Sequence, residues 1–260
     1  MARFKLEKWY FDCVTASGTV FIGYAAKLNA GPFRLGYGAV ITKAADGPPT
    51  QRQSFFNGTV DDAAGNALWT NDPLKVRGEW TAGSVIPPTI LLDESAGRIE
   101  WQCLGANCAV DVRLDGQSMI GTGYVEKLSM TIPPWRLPFT ELRWGRFISD
   151  DRSNYLVWID MKGETPRNWV WFNSPRPVAG TVDGDGVRTN DAELIFNGSA
   201  PLRSGNVAES IFGRFQFLKI LLPRRARGIR EDKRLCDCLL RTQGAESKGS
   251  AIYEVVIWGR

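Results

Sequence analysis

Alternation is the strongest constraint on what this chain can fold into. In Thr19–Leu28, TVFIGYAAKL, the residues Val20, Ile22, Tyr24, Ala26 and Leu28 fall on one face of an extended chain. A period of two marks a strand with one buried side. Amphipathic helix patterns are scarce, whereas short runs of this kind recur from end to end. They predict strands at Lys8–Val14, Phe33–Thr42, Leu74–Trp80, Thr89–Leu92, Gly97–Cys103, Ala109–Leu114 and Ser118–Met130. Beyond the midpoint they predict Phe139–Ile148, Asn154–Met161, Asn168–Phe172, Gly180–Val182, Ala192–Phe196, Arg234–Arg241 and Ser250–Trp258. Turn residues separate them, and Ala44–Pro73 is turn-rich enough to hold short strands and a loop able to act as a lid. Many short strands with turns between them predict an all-β protein of barrels or sandwiches.

One stretch organises the rest. Gly121 to Ser149 reads GTGYVEKLSMTIPPWRLPFTELRWGRFIS, two strand-like runs on either side of Pro133-Pro134. Proline cannot donate to a sheet ladder, so the pair interrupts pairing. The expected domains are 1–134 and 135–260. Each half suits a lipocalin-like barrel of about eight strands, a size whose interior can hold one small apolar ligand.

Composition removes several chemistries. There is no histidine among 260 residues. Ser-His-Asp and Cys-His nucleophiles, histidine bases and His-ligated metals are therefore excluded. Proton transfer falls to Asp, Glu, Tyr, Lys or Cys. Five cysteines cannot all pair within one chain, and reduced buried thiols predict a cytoplasmic protein. The net charge of +4, from 32 basic and 28 acidic residues, is too balanced to argue for nucleic acid. The sequence offers neither a signal-peptide core at its N-terminus nor an apolar run of about 18 residues.

The candidate site residues are ionisable groups on apolar faces. On the strand before the prolines, Tyr124, Glu126, Leu128 and Met130 share a face, with Lys127 and Ser129 on a second face read as solvated. After the prolines, Leu142, Trp144, Arg146 and Ile148 share one. Near the N-terminus Glu7 lies with Trp9, Phe11 and Cys13, and Asp12 with Tyr10 and Val14. Asp160 lies with Leu156 and Trp158, and Glu254 with Ile252, Val256 and Trp258. Burial disfavours the charged carboxylate and keeps its proton on near neutral pH. A catalytic acid that protonates a weak base such as an alkene needs that property. Tryptophan faces would stabilise a developing carbocation by about 1–2 kcal/mol each. A second reading of the same residues is structural: Glu126 and Arg146 as a buried ion pair holding adjacent strands.

Other signals are weaker. Asp183-Gly-Asp-Gly186 reads as a turn, since it lacks the remaining ligands of a calcium loop. The segment 212–230 is apolar and then basic. Its arginines Arg224, Arg225, Arg227 and Arg230 form a solvated face or, with the apolar run before them, a peripheral membrane contact.

Three motifs carry a family resemblance. Glu7-Lys-Trp-Tyr-Phe-Asp12 resembles the opening motif of the carotenoid hydratase (hydroxyneurosporene synthase) and AttH-like superfamily. Gly121-x-Gly-Tyr-x-Glu126, the Pro-Trp hinge and Arg143-Trp-Gly-Arg146 resemble that family's junction, and Gly249-x-Ala-Ile-Tyr-Glu254 its C-terminal strand, with Tyr253 where a histidine often stands. The resemblance implies two calycin-type, lipocalin-like antiparallel barrels in tandem, a hydrophobic small-molecule ligand that is isoprenoid or polyketide-like, and no metal or organic cofactor; the first expectation for the substrate is a lipophilic isoprenoid or polyene. Hydration or cyclisation is the first expectation, with Glu126 or Glu254 as proton donor and Tyr124 and Tyr253 positioning the substrate or relaying the proton. Trp9, Asp12, Trp144, Arg146, Trp158 and Trp258 would bind the substrate. The competing expectations are a pericyclic cyclase of natural-product biosynthesis that works by shape, and a non-catalytic carrier with a deep apolar cavity.

Overall fold

The computed structural model describes residues 4–63, 65–207, 209 and 223–259. The chain divides into two units, Met1–Pro133 and Pro134–Arg260, each built on one antiparallel sheet.

In the first unit the strands are β1 (Phe4–Thr15), β2 (Val20–Ala30), β3 (Phe33–Lys43), β4 (Thr50–Ser54), β5 (Thr59–Ala63), β6 (Asn66–Asn71), β7 (Val76–Thr81), β8 (Ile86–Glu94), β9 (Gly97–Leu114) and β10 (Gln117–Met130). Their order is β4-β3-β2-β1-β10-β9-β7-β6-β5, with β8 also on β9. The two ends, β4 and β5, are consecutive in sequence. Side chains tie that corner: Asn71 Nδ2 donates to Phe56 O (2.7 Å), Trp69 Nε1 to Asn57 O (3.0 Å) and Arg52 Nη2 to Leu74 O (3.0 Å). The sheet thus nearly closes into a barrel.

Ten strands replace the expected eight, and aromatic side chains are prominent in the barrel core. Trp69 stacks on Phe11 (5.3 Å, 1°), Trp80 lies 4.8 Å from Phe11, and Phe21, Val110 and Val125 pack around them. Gly23 is required here, because a Cβ would stand 2.5 Å from the Trp69 ring. A second difference concerns β9, a single strand of 18 residues that spans both expected runs. It serves β8 with its first half, β7 with its second and β10 with both. The turn-rich region after Ala44 is likewise taken into the sheet as β4, β5 and β6.

The second unit has β11 (Phe139–Ser149), β12 (Tyr155–Gly163), β13 (Arg167–Phe172), β14 (Gly180–Val182), β15 (Gly186–Thr189), β16 (Ala192–Asn206), β17 (Arg230–Thr242) and β18 (Ala245–Ile257). Their order is β13-β12-β11-β18-β17-β16-β15-β14. A bridge between Val170 of β13 and Val178, just before β14, brings the two edges together, so this eight-stranded sheet also closes. Phe147, Leu156, Trp158, Leu194, Cys236 and Ala251 belong to its core. Asp183-Gly-Asp-Gly186 is the β14–β15 turn. Asp183 Oδ1 accepts from the backbone of Asp185 and Gly186 (2.9 Å each).

All five cysteines are free and buried. No helix among the described residues is long and apolar enough to cross a membrane. Of the 212–230 segment, residues 212–222 lie outside the described residues. Arg224–Arg227 is one helical turn with its arginines exposed and Arg225 Nη2 donating to Phe139 O (3.4 Å).

Candidate active site

In β1, five consecutive residues from Trp9 to Cys13 are buried, so both faces of the strand are covered. One face is the barrel core. The second carries polar groups, and the register assembles them. Tyr10 stands opposite Glu126 and Asp12 opposite Tyr124 across the β1–β10 ladder. Tyr24 of β2 stands opposite Tyr10. On the other side Glu126 stands opposite Cys103 of β9. Register shifts between Gly123 and Val125 and between Val125 and Glu126 break the β9–β10 ladder around Tyr124. Bulges of this sort re-aim side chains and recur beside active sites.

Glu126 is the centre of this cluster. Its Oε2 accepts from the indole of Trp101 (2.5 Å) and from the phenol of Tyr124 (2.9 Å), all three side chains being buried. Tyr10 lies edge-on to Tyr24 (5.5 Å, 70°) and 6.1 Å from Tyr124. Burial pushes the Tyr124 phenol well above its ordinary value, and charge on Cys103 and Glu126 pushes it further. Burial, then Cys108 and Glu126, do the same to the Cys103 thiol. Tyr124 and Cys103 therefore hold their protons. Donors fixed on one carboxylate oxygen stabilise the anion that forms when that group gives up a proton.

The remaining expected residues fall in three places. Trp9 is on the opposite face from Glu126, in the barrel core, where its indole donates to Asp62 Oδ2 (3.0 Å). Lys127 shares that inner face and sets its ammonium 4.8 Å from the Trp9 ring while pairing with Asp62 (3.2 Å). The Lys127 face is therefore not the solvated one expected. Residues at i and i+1 part company in this way because both faces of β10 are covered.

In the second unit, Trp144, Arg146 and Glu254 share one face, Trp144 standing opposite Glu254 and Arg146 opposite Ile252. Arg146 is fully buried, and its Nη1 donates to Ser250 O (2.9 Å). Arg146 and Glu126 belong to different sheets, so they do not hold adjacent strands together. Glu254 forms an ion pair with the buried Lys233, which stands opposite it on β17 and lies 5.0 Å from the Trp144 ring. Next to them Arg203 grips Glu231 with two nitrogens (2.5–3.0 Å).

Tyr253 and Trp158 face the other way, into the second barrel. Phe196 stacks on Tyr253 (4.8 Å, 13°) and lies 5.9 Å from Trp158, whose ring fills the space left by Gly145. Burial raises the Tyr253 phenol, against the hydrogen bond with Ser199 and the nearby Arg234. Trp258 binds the chain near the start of this unit: its indole donates to Pro134 O (2.9 Å) and its ring meets Phe139 edge-on. Sequence reasoning missed Trp101 and Lys233. Trp101 had a readable period with Cys103, but nothing in a linear sequence tells which strand β9 faces. Lys233 sits in the run Arg230-Glu-Asp-Lys-Arg234, which reads as solvent-exposed charge.

No family model matches the chain, and no curated protein matches it. Solved structures do. An AttH protein from Nitrosomonas europaea aligns over 100% of this chain and 94% of its own, with a TM-score of 0.58 and 11% identity. Kievitone hydratase from Nectria haematococca aligns over 97% and 88%, with a TM-score of 0.59 and 7% identity. CghA in complex with Sch210972 aligns over 98% and 88%, with a TM-score of 0.56 and 10% identity. At such identities the likeness is one of fold, and the fold is the tandem lipocalin-like pair implied by the three sequence motifs.

Proposed function

We propose that the chain is a cofactor-independent enzyme that hydrates or cyclises a lipophilic isoprenoid or polyene, with Glu126 as the acid. The observation that carries this is a buried carboxyl whose one oxygen accepts from both Trp101 and Tyr124. Glu126 gives its proton to a terminal alkene carbon, and the double bond becomes a C–H bond and a carbocation. The carboxylate left behind is held by the indole and the phenol. The faces of Tyr10 and Tyr124 suit the cation, whereas that of Tyr24 carries the Lys8 ammonium (5.3 Å). Water then adds to the cation and returns one proton to Glu126, or a second double bond of the same molecule closes on it and the new cation loses a carbon proton to the Glu126 carboxylate. Glu254 is the weaker choice of donor, because its ion pair with Lys233 favours the carboxylate, which has no proton to give. Kievitone hydratase, among the structural neighbours, supports the reaction class.

The test uses kievitone and acyclic terminal-alkene isoprenoids in oxygen-labelled water, with products read by mass spectrometry. Gain of labelled water marks hydration, and an isomer of unchanged mass marks cyclisation. Glu126→Gln should slow turnover about 10²–10⁴-fold, the ordinary worth of a general acid. Tyr124→Phe should slow it less, and Glu254→Gln should alter stability more than rate. Full turnover by Glu126→Gln at every pH would point instead to a cavity that acts by shape. Substrate bound and recovered unchanged would point to a carrier.

A further inference from the structure

The first unit exposes three phenylalanines at one end. Phe33 is 75% exposed at the tip of the β2–β3 hairpin, beside Gly31 and Pro32. Phe55 and Phe56 are 44% and 49% exposed on the loop after β4. That loop runs alongside β3, for the Phe55 carbonyl and Asn57 lie against Gly36, three residues from Phe33. Arg34 adjoins Phe33 and has no ion-pair partner among the described residues. A soluble chain seldom leaves neighbouring large aromatics in water without a use.

The register connects this end to the candidate site. Phe33, Leu35 and Tyr37 lie on one face of β3, opposite Ala30, Leu28 and Ala26 of β2. Two residues further along β2 on the same face is Tyr24, opposite Tyr10, which stands opposite Glu126. One apolar strip, about 20 Å long at strand rise, therefore leads from the exposed tip to the buried carboxyl.

We infer that this end of the first unit docks on an anionic lipid bilayer, Phe33, Phe55 and Phe56 entering the headgroup–acyl boundary and Arg34 meeting lipid phosphate. The purpose, collection of a membrane-dissolved substrate for Glu126, rests on the function proposed above; the docking itself does not. Aromatic insertion combined with basic attraction is how peripheral proteins hold membranes.

Flotation of the full chain tests it, with vesicles of phosphatidylcholine alone or mixed with phosphatidylglycerol. The wild-type chain should float with both and more strongly with the mixture. Each of Phe33→Ser, Phe55→Ser and Phe56→Ser should lower partitioning about tenfold, the order of magnitude that burying one such ring is worth. Arg34→Ser should weaken only the binding to the anionic mixture. Circular dichroism verifies that these surface variants fold. Wild type left in the buffer fraction overturns the inference. So does a triple variant that floats as wild type does, which would move the contact to the arginines of 224–230. A wild type of dimer size beside a triple variant of monomer size also overturns it, because the patch would then be a contact between copies. Glu126→Gln should float like wild type whatever it does to turnover, so the two proposals fail separately.

Discussion

Replacing Lys233 by Met strands a carboxylate. Lys233 is 1% exposed and its partner Glu254 13%, so neither is screened by bulk water. Breaking a buried pair from one side costs about 3–5 kcal/mol, since the remaining charge keeps its desolvation penalty and loses its attraction. Glu231 cannot exchange partners to help, because its oxygens are already held by Arg203. At about 2–4 °C per kcal/mol for a chain of this size, Lys233→Met should lower the melting temperature by about 6–20 °C. Removing both charges is different. Lys233→Met with Glu254→Leu places apolar groups beside Trp144, Ile252 and Val256 and should recover most of the loss. The assay is urea unfolding of wild type, both single variants and the double, followed by tryptophan fluorescence and circular dichroism. The coupling energy from that cycle should be several kcal/mol. A Lys233→Met cost below about 1 kcal/mol, or a double variant as unstable as the sum of the singles, would refute the buried-pair reasoning and restore Glu254 as a free acid.

Two further outcomes concern glycine packing and the tyrosine phenols. Gly23→Ala drives a methyl group to 2.5 Å from the Trp69 ring, which is itself backed by Phe11, so it should cost about 1–3 kcal/mol, whereas Gly184→Ala, with open space around it, should be neutral. On raising pH, Tyr124 and Tyr253 should ionise only above the ordinary tyrosine range, as read by tyrosinate absorbance. Below about pH 10 their phenols are protonated in both folded and unfolded chains, and no stability is lost. Above it the unfolded chain releases protons that the native chain keeps, so stability falls as pH rises. Simultaneous titration of all six tyrosines near pH 10 would show that neither phenol is shielded.

Much of this architecture was legible because strand period is a local property. The alternation in β2 and β10 located both strands, and the face shared by Tyr124 and Glu126 followed from it. The proline pair lies at the division between the two units for the same local reason: neither proline can donate to a ladder. What stayed illegible is what depends on partners far away in sequence. The hydrogen bond from Trp101 to Glu126 needs the β9–β10 register, which bulges twice at that point. The Lys233–Glu254 pair needs β17 and β18 side by side, and a lysine inside a charged run gives no sign of burial. Strand period also sorts residues into two faces without saying which face is the core. Trp9 and Glu126 were thus grouped by chemistry, although the fold sends them to opposite sides of one sheet.

The aromatic core of the first barrel has a bearing on how such a protein can change. In a hollow barrel, new specificity comes from remodelling the rim and the lining. With Phe11, Trp69 and Trp80 stacked in the core, every inward substitution is a defect in a pillar. Under the proposed function, variation that alters chemistry while sparing that stack would fall on the opposite face of β1, β2, β9 and β10. The proposed site and the aromatic core thus occupy alternate residues of the same strands. Substitutions at the even-numbered positions Tyr10, Asp12, Tyr24 and Tyr124, all buried, would alter the second face while leaving the stack of Phe11, Trp69 and Trp80 in place.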